Sequence, residues 1–225
     1  MQVKLISYTK PVDGLLTEDA DVLELIAYCA RVSNPSNQLN TGTADKLIEY
    51  LIKHKHWSPF EMADVTLEIV TTRDIARQIL RHRSFSFQEF SQRYADPTQE
   101  LNFVKREARL QDTKNRQNSI ETNDVILQNK WDSVQHEIIH QANVAYQWAI
   151  DNGIAKEVAR AVLPEGLTMS RMYMKGSIRS WIHYLEVRTD PSTQKEHREV
   201  AMACAAAISE LFLMVGKFVH QPKLK

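Results

Sequence analysis

The chain has only two cysteines, no excess of either charge and no long apolar run, and each shortage removes a class of function. Cys29 and Cys204 cannot build a disulfide framework. Cys204 falls on the apolar stripe Ala201, Cys204, Ile208, Leu211 and Val215, and Cys29 sits among Leu25, Ile26 and Ala30. Both therefore read as small buried hydrophobes, and neither has the neighbouring His or Arg that a nucleophilic thiol requires. Lys plus Arg and Asp plus Glu number 28 each. With no global field to draw in nucleic acid or an anionic membrane, an anionic ligand must be held by a local cluster of arginines. No apolar run approaches the roughly 20 residues that cross a bilayer, and Met1 to Pro11 carries no apolar leader with a cleavage site. The expectation is a protein without nucleic-acid or membrane partners, working in the cytoplasm or in that of a host.

What is present is an ordinary globular composition, 43% hydrophobic and 25% charged over 225 residues, enough for one substantial core. Val3 to Tyr8 reads as a strand and Pro11 to Gly14 as a turn. Thr17 or Asp19 caps a helix to about Val32, which Asn34-Pro35 ends, and a second helix runs from Thr43 to about His54. Val65 to Val70 alternates as a strand, a helix follows from about Thr72 to His82, and Phe85 to Tyr94 reads as extended. Residues from about 96 to 122 are polar and aperiodic, which predicts a long surface loop. A long amphipathic helix spans about Asn123 to Asn152, ended by Gly153, and Ile154 to Leu163 is a helix stopped by Pro164. A strand over Thr168 to Met174 precedes helices from about Gly176 to Val187 and Thr193 to Val219. This order predicts an α+β fold in a single domain over residues 1–225, a small mixed sheet flanked by helices.

The chemistry concentrates in one segment. Gln78 and Arg81 are three apart on a predicted helix, so they share a face, and Arg81, His82 and Arg83 then arrive together. In the extended stretch that follows, alternation places Glu89, Ser91 and Arg93 on one side and Gln88, Phe90 and Gln92 on the other. Guanidinium groups match phosphate oxygens two by two, so this segment can read a polar, phosphorylated ligand. The competing reading leaves Arg81 and Arg83 solvated, or paired with Glu61, Asp64 and Glu89.

The run RHRSFSFQEFSQRY, with Arg81-His82-Arg83-x7-Ser91-x-Arg93 at its centre, resembles the signature of flavin-dependent thymidylate synthases. Further blocks agree in order: Arg31-Val32-Ser33, His56-Trp57-Ser58-Pro59-Phe60-Glu61, Glu157-Val158-Ala159-Arg160, and Arg171 through Arg188. The resemblance covers about residues 25 to 197 and is weakest across the polar loop. It implies FAD as cofactor, NADPH and methylenetetrahydrofolate as co-substrates, dUMP as substrate, and a homotetramer in which three subunits build each site. By the same resemblance Arg81, His82 and Arg83 contact FAD, with Arg81 also reaching the nucleotide, and Ser33, Ser58, Glu61 and Glu89 belong to the flavin site. Gln78, Glu89, Phe90, Ser91, Gln92 and Arg93 fall in the segment that holds dUMP, joined by Arg160. Ser177, Arg179, His183 and Val187 form a helical stripe that follows the flavin. Arg188 matches the arginine that polarises the uracil ring and is the expected catalytic residue; a fixed cation beside a developing anion is a strong catalytic device. Ser91 reads as a ligand-binding hydroxyl, since no general base is arranged for it. Two positions depart from the family pattern: Ser192, where some relatives place a histidine near the flavin, and Gln92, where glycine is common.

Rival signals are weaker. His136-Glu137-Ile138-Ile139-His140 satisfies the zinc-peptidase spacing H-E-x-x-H, but the following residues lack the glycine and third histidine of the extended form. Inward Val134, Ile138, Ala142, Ala145 and Trp148 leave both histidines on a polar face, so no metal is expected. His54, His56 and Glu61 make an incomplete metal trio. Lys105, Arg106, Arg109, Lys114 and Arg116 are interspersed with Glu107 and Asp112 and read as a solvated loop. A flavin or nucleotide binder without turnover is a third class, which the presence of Arg188 argues against.

Overall fold

A computed structural model describes residues 1–220. Its centre is a four-stranded sheet in the order β1 (Gln2–Tyr8), β2 (Asp64–Thr72), β6 (Met169–Ser177), β3 (Ser86–Glu89). Every neighbouring pair is antiparallel, so the α+β class stands but the sheet is not mixed. Between β1 and β2 lie α1 (Val22–Ala30) and α2 (Ala44–Lys53), and α3 (Arg73–Ile79) joins β2 to β3. After β3 come α4 (Pro97–Glu100), a two-stranded ribbon of β4 (Arg109–Gln111) and β5 (Ser119–Glu121), the long α5 (Val125–Asp151) and the short α6 (Lys156–Ala159). Past β6 the chain forms α7 (Ile178–Arg188) and α8 (Lys195–Ser209).

The apolar alternation in β2 buries Val65, Leu67 and Ile69, and β6 answers with Met172 and Met174. These two strands pair without a register shift from Asp64 opposite Ser177 to Thr72 opposite Met169. They therefore feed α3 and α7 from opposite ends of the sheet. α7 runs back across it, burying Trp181, Tyr184 and Leu185, and the Trp181 indole donates to the Val65 carbonyl at 3.1 Å. Its C-terminus thus meets the turn that follows α3. Gly176 fixes that turn: a Cβ there would stand 2.4 Å from the Phe85 ring, which also meets Trp181 edge-on at 4.8 Å. A smaller core gathers Tyr146 and Ala149 of α5 with Ala159 and Leu163.

Several elements differ from the sequence expectation. Asp21, rather than Thr17 or Asp19, caps α1, because it exchanges hydrogen bonds with Glu24 in a capping box. α3 stops at Ile79 and β3 at Glu89, both short of the expected ends, since Phe85 must turn in under Gly176 and Tyr94 and Ala95 fold back onto the Ser91 carbonyl. β6 continues to Ser177, and the region from 154 to 163 yields only α6 and a 3-10 turn. α8 ends at Ser209, and a 3-10 turn, Leu213–Phe218, then carries Val215 into the core behind the buried Phe212. The inward face of α5 is Gln135, Ala142, Tyr146 and Ala149, while Trp148 and Ile138 are exposed. Gly153 does end α5, in a left-handed conformation with both hydrogen bonds of a Schellman turn, from Gly153 N to Ile150 O and Ile154 N to Ala149 O.

The polar stretch is the largest departure. It holds α4 and the β4–β5 ribbon, and it is fastened to the body. Arg106 donates to Asp74 and Thr72 at 2.7 Å, Lys105 pairs with Asp132, and Arg109 pairs with Glu196. No described helix is long and apolar enough to cross a membrane.

Candidate functional site

Arg81, His82 and Arg83 occupy the turn between α3 and β3, at the place where the end of α7 arrives. Arg188, in the last turn of α7, donates from Nε to His82 Nε2 at 2.9 Å. That bond requires a neutral imidazole with a free lone pair on Nε2. Burial, together with the charges of Arg188, His183 and Arg81, holds His82 down at about 4, so it accepts throughout the neutral range. Burial and the Arg81 charge also lower Arg188, against the pull of Tyr184, yet a guanidinium remains the charged species.

The expected competitors for the two signature arginines are otherwise engaged. Glu61 pairs with Arg179 at 3.0 Å, Asp64 with Lys175 at 3.0 Å, and Glu89 with Arg77 at 3.2 Å. Among the described residues Arg81 and Arg83 form no ion pair, and both are exposed. The paired form of the competing reading is therefore not seen, whereas the exposure of both arginines is what its solvated form expects. What remains is positive charge at Arg81, Arg83 and Arg188 with no carboxylate paired to it, and the Arg81 charge helps to lower both Arg188 and His82. An anion bound there would relieve that repulsion.

Beside this cluster, a cavity of about 470 Å³ is lined by Trp57, Glu61, Ser84, Arg179, His183 and Glu186, among others. Ser177 caps α7 by accepting from Ser180 N at 3.2 Å and donates its hydroxyl to Glu61, so the block around residue 61 is tied to the start of the α7 stripe. Arg179, His183 and Val187 then follow one another along the exposed side of α7. Ser58 opens the 3-10 turn Ser58–Met62 on the surface, and Ser33 lies exposed just past α1. Buried Arg31, the head of that block, donates to the Asn40 carbonyl and to Thr43 Oγ1.

The nucleotide segment is arranged differently from strand alternation. Because β3 ends at Glu89, Ser91 and Arg93 are not on a shared strand face with it. Glu89 turns inward to Arg73, Arg77 and the Ser170 hydroxyl, the last at 2.8 Å. Ser91 Oγ accepts from Arg93 N at 3.4 Å, and half-buried Phe90 donates its N–H to the Arg171 carbonyl. Arg93 pairs with Glu157 at 3.2 Å, and Arg160 donates to the Glu157 carbonyl, so a second basic group forms on α6. Gln92 is 3% exposed with its Nε2 unpartnered, and Gln78 is hydrogen-bonded at both ends of its amide to Gln194 and His197. Ser192 is held by Asp190 in a local turn.

Sequence reasoning missed Trp57, Ser84 and Glu186 in the cavity, and Tyr184 and His197 behind Arg188. The available signal for His197 was a histidine on the otherwise apolar α8 stripe of Val200, Ala201, Cys204 and Ile208. A larger cavity, about 860 Å³, lies past the end of α7 against the β4–β5 ribbon. Two cations on it, Arg109 and Lys195, are already paired with Glu196, Glu107 and Glu121. His136 and His140 stand exposed on α5, and no group of three His, Cys, Asp or Glu able to hold a metal gathers among the described residues. His54 and His56 pack around Tyr50, while Glu61 serves Ser177 and Arg179.

Comparison with known proteins agrees with this arrangement. The family model described as thymidylate synthase complementing protein, Thy1, matches residues 14–212. A probable flavin-dependent thymidylate synthase of Paramecium bursaria Chlorella virus 1 is 50% identical over 96% of this chain and 98% of its own. A flavin-dependent thymidylate synthase of Synechocystis sp. is 52% identical, again over 96% and 98%. Among solved structures, a UMP/dUMP methylase from Streptomyces cacaoi bound with 5-Br dUMP superposes with a TM-score of 0.77 at 25% identity, covering 96% of this chain and 93% of that one. A family match over residues 14–212 and relatives at 50% and 52% identity show that the chain belongs to the Thy1 family of thymidylate synthase complementing proteins.

Proposed function

We propose that the protein is a flavin-dependent thymidylate synthase that converts dUMP to dTMP by reductive methylation. FAD is its cofactor, methylenetetrahydrofolate its carbon donor and NADPH its reductant, and residues 1–225 act as one domain within a homotetramer. The observation that carries this reading is the uncompensated positive charge of Arg81 and Arg188 beside a neutral His82. That cluster suits a ligand set of phosphates and an ionisable uracil.

Arg81, His82 and Arg83, with Ser33, Ser58, Glu61, Ser177, Arg179, His183 and Val187, hold the flavin, and Glu89 supports that site through Arg73 and Arg77. Bound there, the flavin supplies the reducing equivalents of the methylation. Gln78, Phe90, Ser91, Gln92, Arg93 and Arg160 hold dUMP, with Arg81 reaching it from the flavin side. The Arg188 guanidinium commits Nε to His82, which fixes its plane and leaves the terminal amino groups to face the uracil. In that position it stabilises negative charge on the ring as it develops. Neutral His82 contributes no competing charge.

The decisive experiment combines a spectrum with a product assay. Protein incubated with FAD should carry a visible flavin spectrum and form dTMP from dUMP only when methylenetetrahydrofolate and NADPH are both supplied. Protein that takes up no flavin, or forms dTMP without it, overturns the reading.

A further inference from the structure

We propose that His197 is a positioning residue for Arg188, acting through Tyr184 and His82; the inference rests on the reading of Arg188 as the catalytic cation. His197 is fully buried on α8, and its ring nitrogens have two partners, the Tyr184 hydroxyl and Gln78 Oε1, each at 3.1 Å. The direction of every bond can be fixed from the far end. Glu196, paired with Arg109, is a carboxylate and only accepts, so the Gln194 group 2.9 Å from it is the amide nitrogen. The Gln194 carbonyl then faces Gln78 and accepts from its amide at 2.7 Å. That leaves the Gln78 carbonyl to accept from His197 Nδ1, which must carry the ring proton. His197 Nε2 is therefore an acceptor, and the Tyr184 hydroxyl donates to it.

All four bonds thus point the same way, from Tyr184 through His197, Gln78 and Gln194 to Glu196. At the near end Tyr184 meets the His82 ring edge-on, 5.0 Å between centroids at 77°. His82 in turn receives the Arg188 Nε–H. Tyr184 also stands one helical turn before Arg188 on α7, so the same helix carries both the last link and the cation. Fixing the phenol fixes the His82 ring, and with it the plane of the guanidinium. A leucine would fill the space of His197 as well as an imidazole does. It would leave the Tyr184 hydroxyl and the Gln78 carbonyl without partners, and the phenol free to turn.

The test uses the flavin-loaded protein and compares His197→Leu, Tyr184→Phe and the double variant. A positioning role predicts that each single variant keeps its flavin spectrum, and that Tyr184→Phe, which leaves the bond between His197 and Gln78 in place, keeps a KM for dUMP within threefold of wild type. It also predicts that kcat falls at least tenfold, with the double variant no slower than His197→Leu by more than threefold. A purely structural role would instead lower flavin loading and thermal midpoint without a selective loss of kcat. Wild-type kcat in a folded, loaded variant, or losses that multiply in the double variant, overturns the proposal. If His197→Leu does not fold, Tyr184→Phe decides alone, since it removes one oxygen atom and keeps the ring against His82; a kcat within twofold of wild type there is fatal. Arg188→Ala measured alongside separates the two layers. Turnover retained in it rejects the catalytic reading of Arg188, whereas turnover lost in it but not in Tyr184→Phe rejects only the role of His197.

Discussion

His197 lies inside a polar chain and is held there without charge. Burial first, then the charge of Arg188 and, once it protonates, that of His82, hold it at about 3, whereas an unfolded-chain histidine titrates near 6.5. Between those values the unfolded chain carries the proton and the folded protein does not. Stability is therefore undiminished above about 6.5, falls as pH drops below it, and stops falling once pH passes the folded value. The slope contributed by this one residue approaches about 1.4 kcal/mol per pH unit. Urea midpoints at pH 7 and pH 5 should show wild type losing about 2 kcal/mol more than His197→Leu over that interval. Parallel losses in the two proteins would mean that His197 is protonated in the folded state. The two thiols take no part in such chemistry. Cys204 is fully buried and Cys29 half-buried rather than enclosed, and burial pushes both thiols up, away from the reactive thiolate. Cys29→Ala and Cys204→Ala should keep kcat within twofold of wild type, and loss of activity without unfolding in either would restore a thiol route.

At the scale of elements, the sequence was most readable where local pattern and tertiary packing ask for the same thing. The alternation of β2 survives because each inward residue meets β6 or α7, and Gly153 ends α5 because only the left-handed conformation closes its last turn. Arg81, His82 and Arg83 were legible from their adjacency, whereas Arg188, which the structure brings onto His82, was reached only through the family resemblance. Tyr184 and His197 were not, since their role depends on two helices crossing. The polar stretch was misread for the same reason: its order comes from outside itself. Gln135 of α5 accepts from Arg106 N and donates to Arg106 O, both at 2.8 Å, and Gln128 does the same for Ala108 at 2.9 and 3.0 Å. Two turns of helix thus stand in for the neighbouring strand that residues 106 and 108 lack. No periodicity in the stretch itself could report this. Gln135→Leu should leave the part-buried Arg106 backbone groups without their protein partner and cost about 1 kcal/mol. Amide exchange around 106–111 should quicken in that variant while the exchange of β2 stays slow. Unchanged exchange there would mean that the ion pairs of Arg106 and Arg109 hold the ribbon unaided.

At the scale of the whole molecule, one chain holds the site in two pieces. Arg188 and His82 lie where α7 meets the turn after α3, and Arg160 and Arg93 gather around Glu157 by α6. Among the described residues no hydrogen bond or ion pair joins one group to the other. The outer side of α5 also exposes large apolar residues near its two ends, with Lys130, Ser133, Glu137 and His140 between them: Ile126 is 83% exposed, Trp148 61% and Val144 51%. Ile126 and Val144 are about five helical turns apart and so share a face, with Trp148 one turn further on. The neighbouring Val144 and Trp148 suit contact with another chain. Both features fit the proposed homotetramer with shared sites, and they give it a test that a size measurement cannot. Arg188→Ala and Arg160→Ala should each be inactive alone. If a site draws its Arg188 from one chain and its Arg160 from another, mixed tetramers contain intact sites, formed wherever an Arg160→Ala chain supplies Arg188 and an Arg188→Ala chain supplies Arg160. Random assembly from equal amounts makes about a quarter of the sites intact, so co-expression should restore about a quarter of wild-type activity. Activity no higher than that of either parent, from a preparation proved to contain mixed tetramers, would place both arginines of a site on the same chain. The two basic groups would then have to close on one ligand within a single subunit, and α6 would have to move towards the end of α7 when dUMP binds.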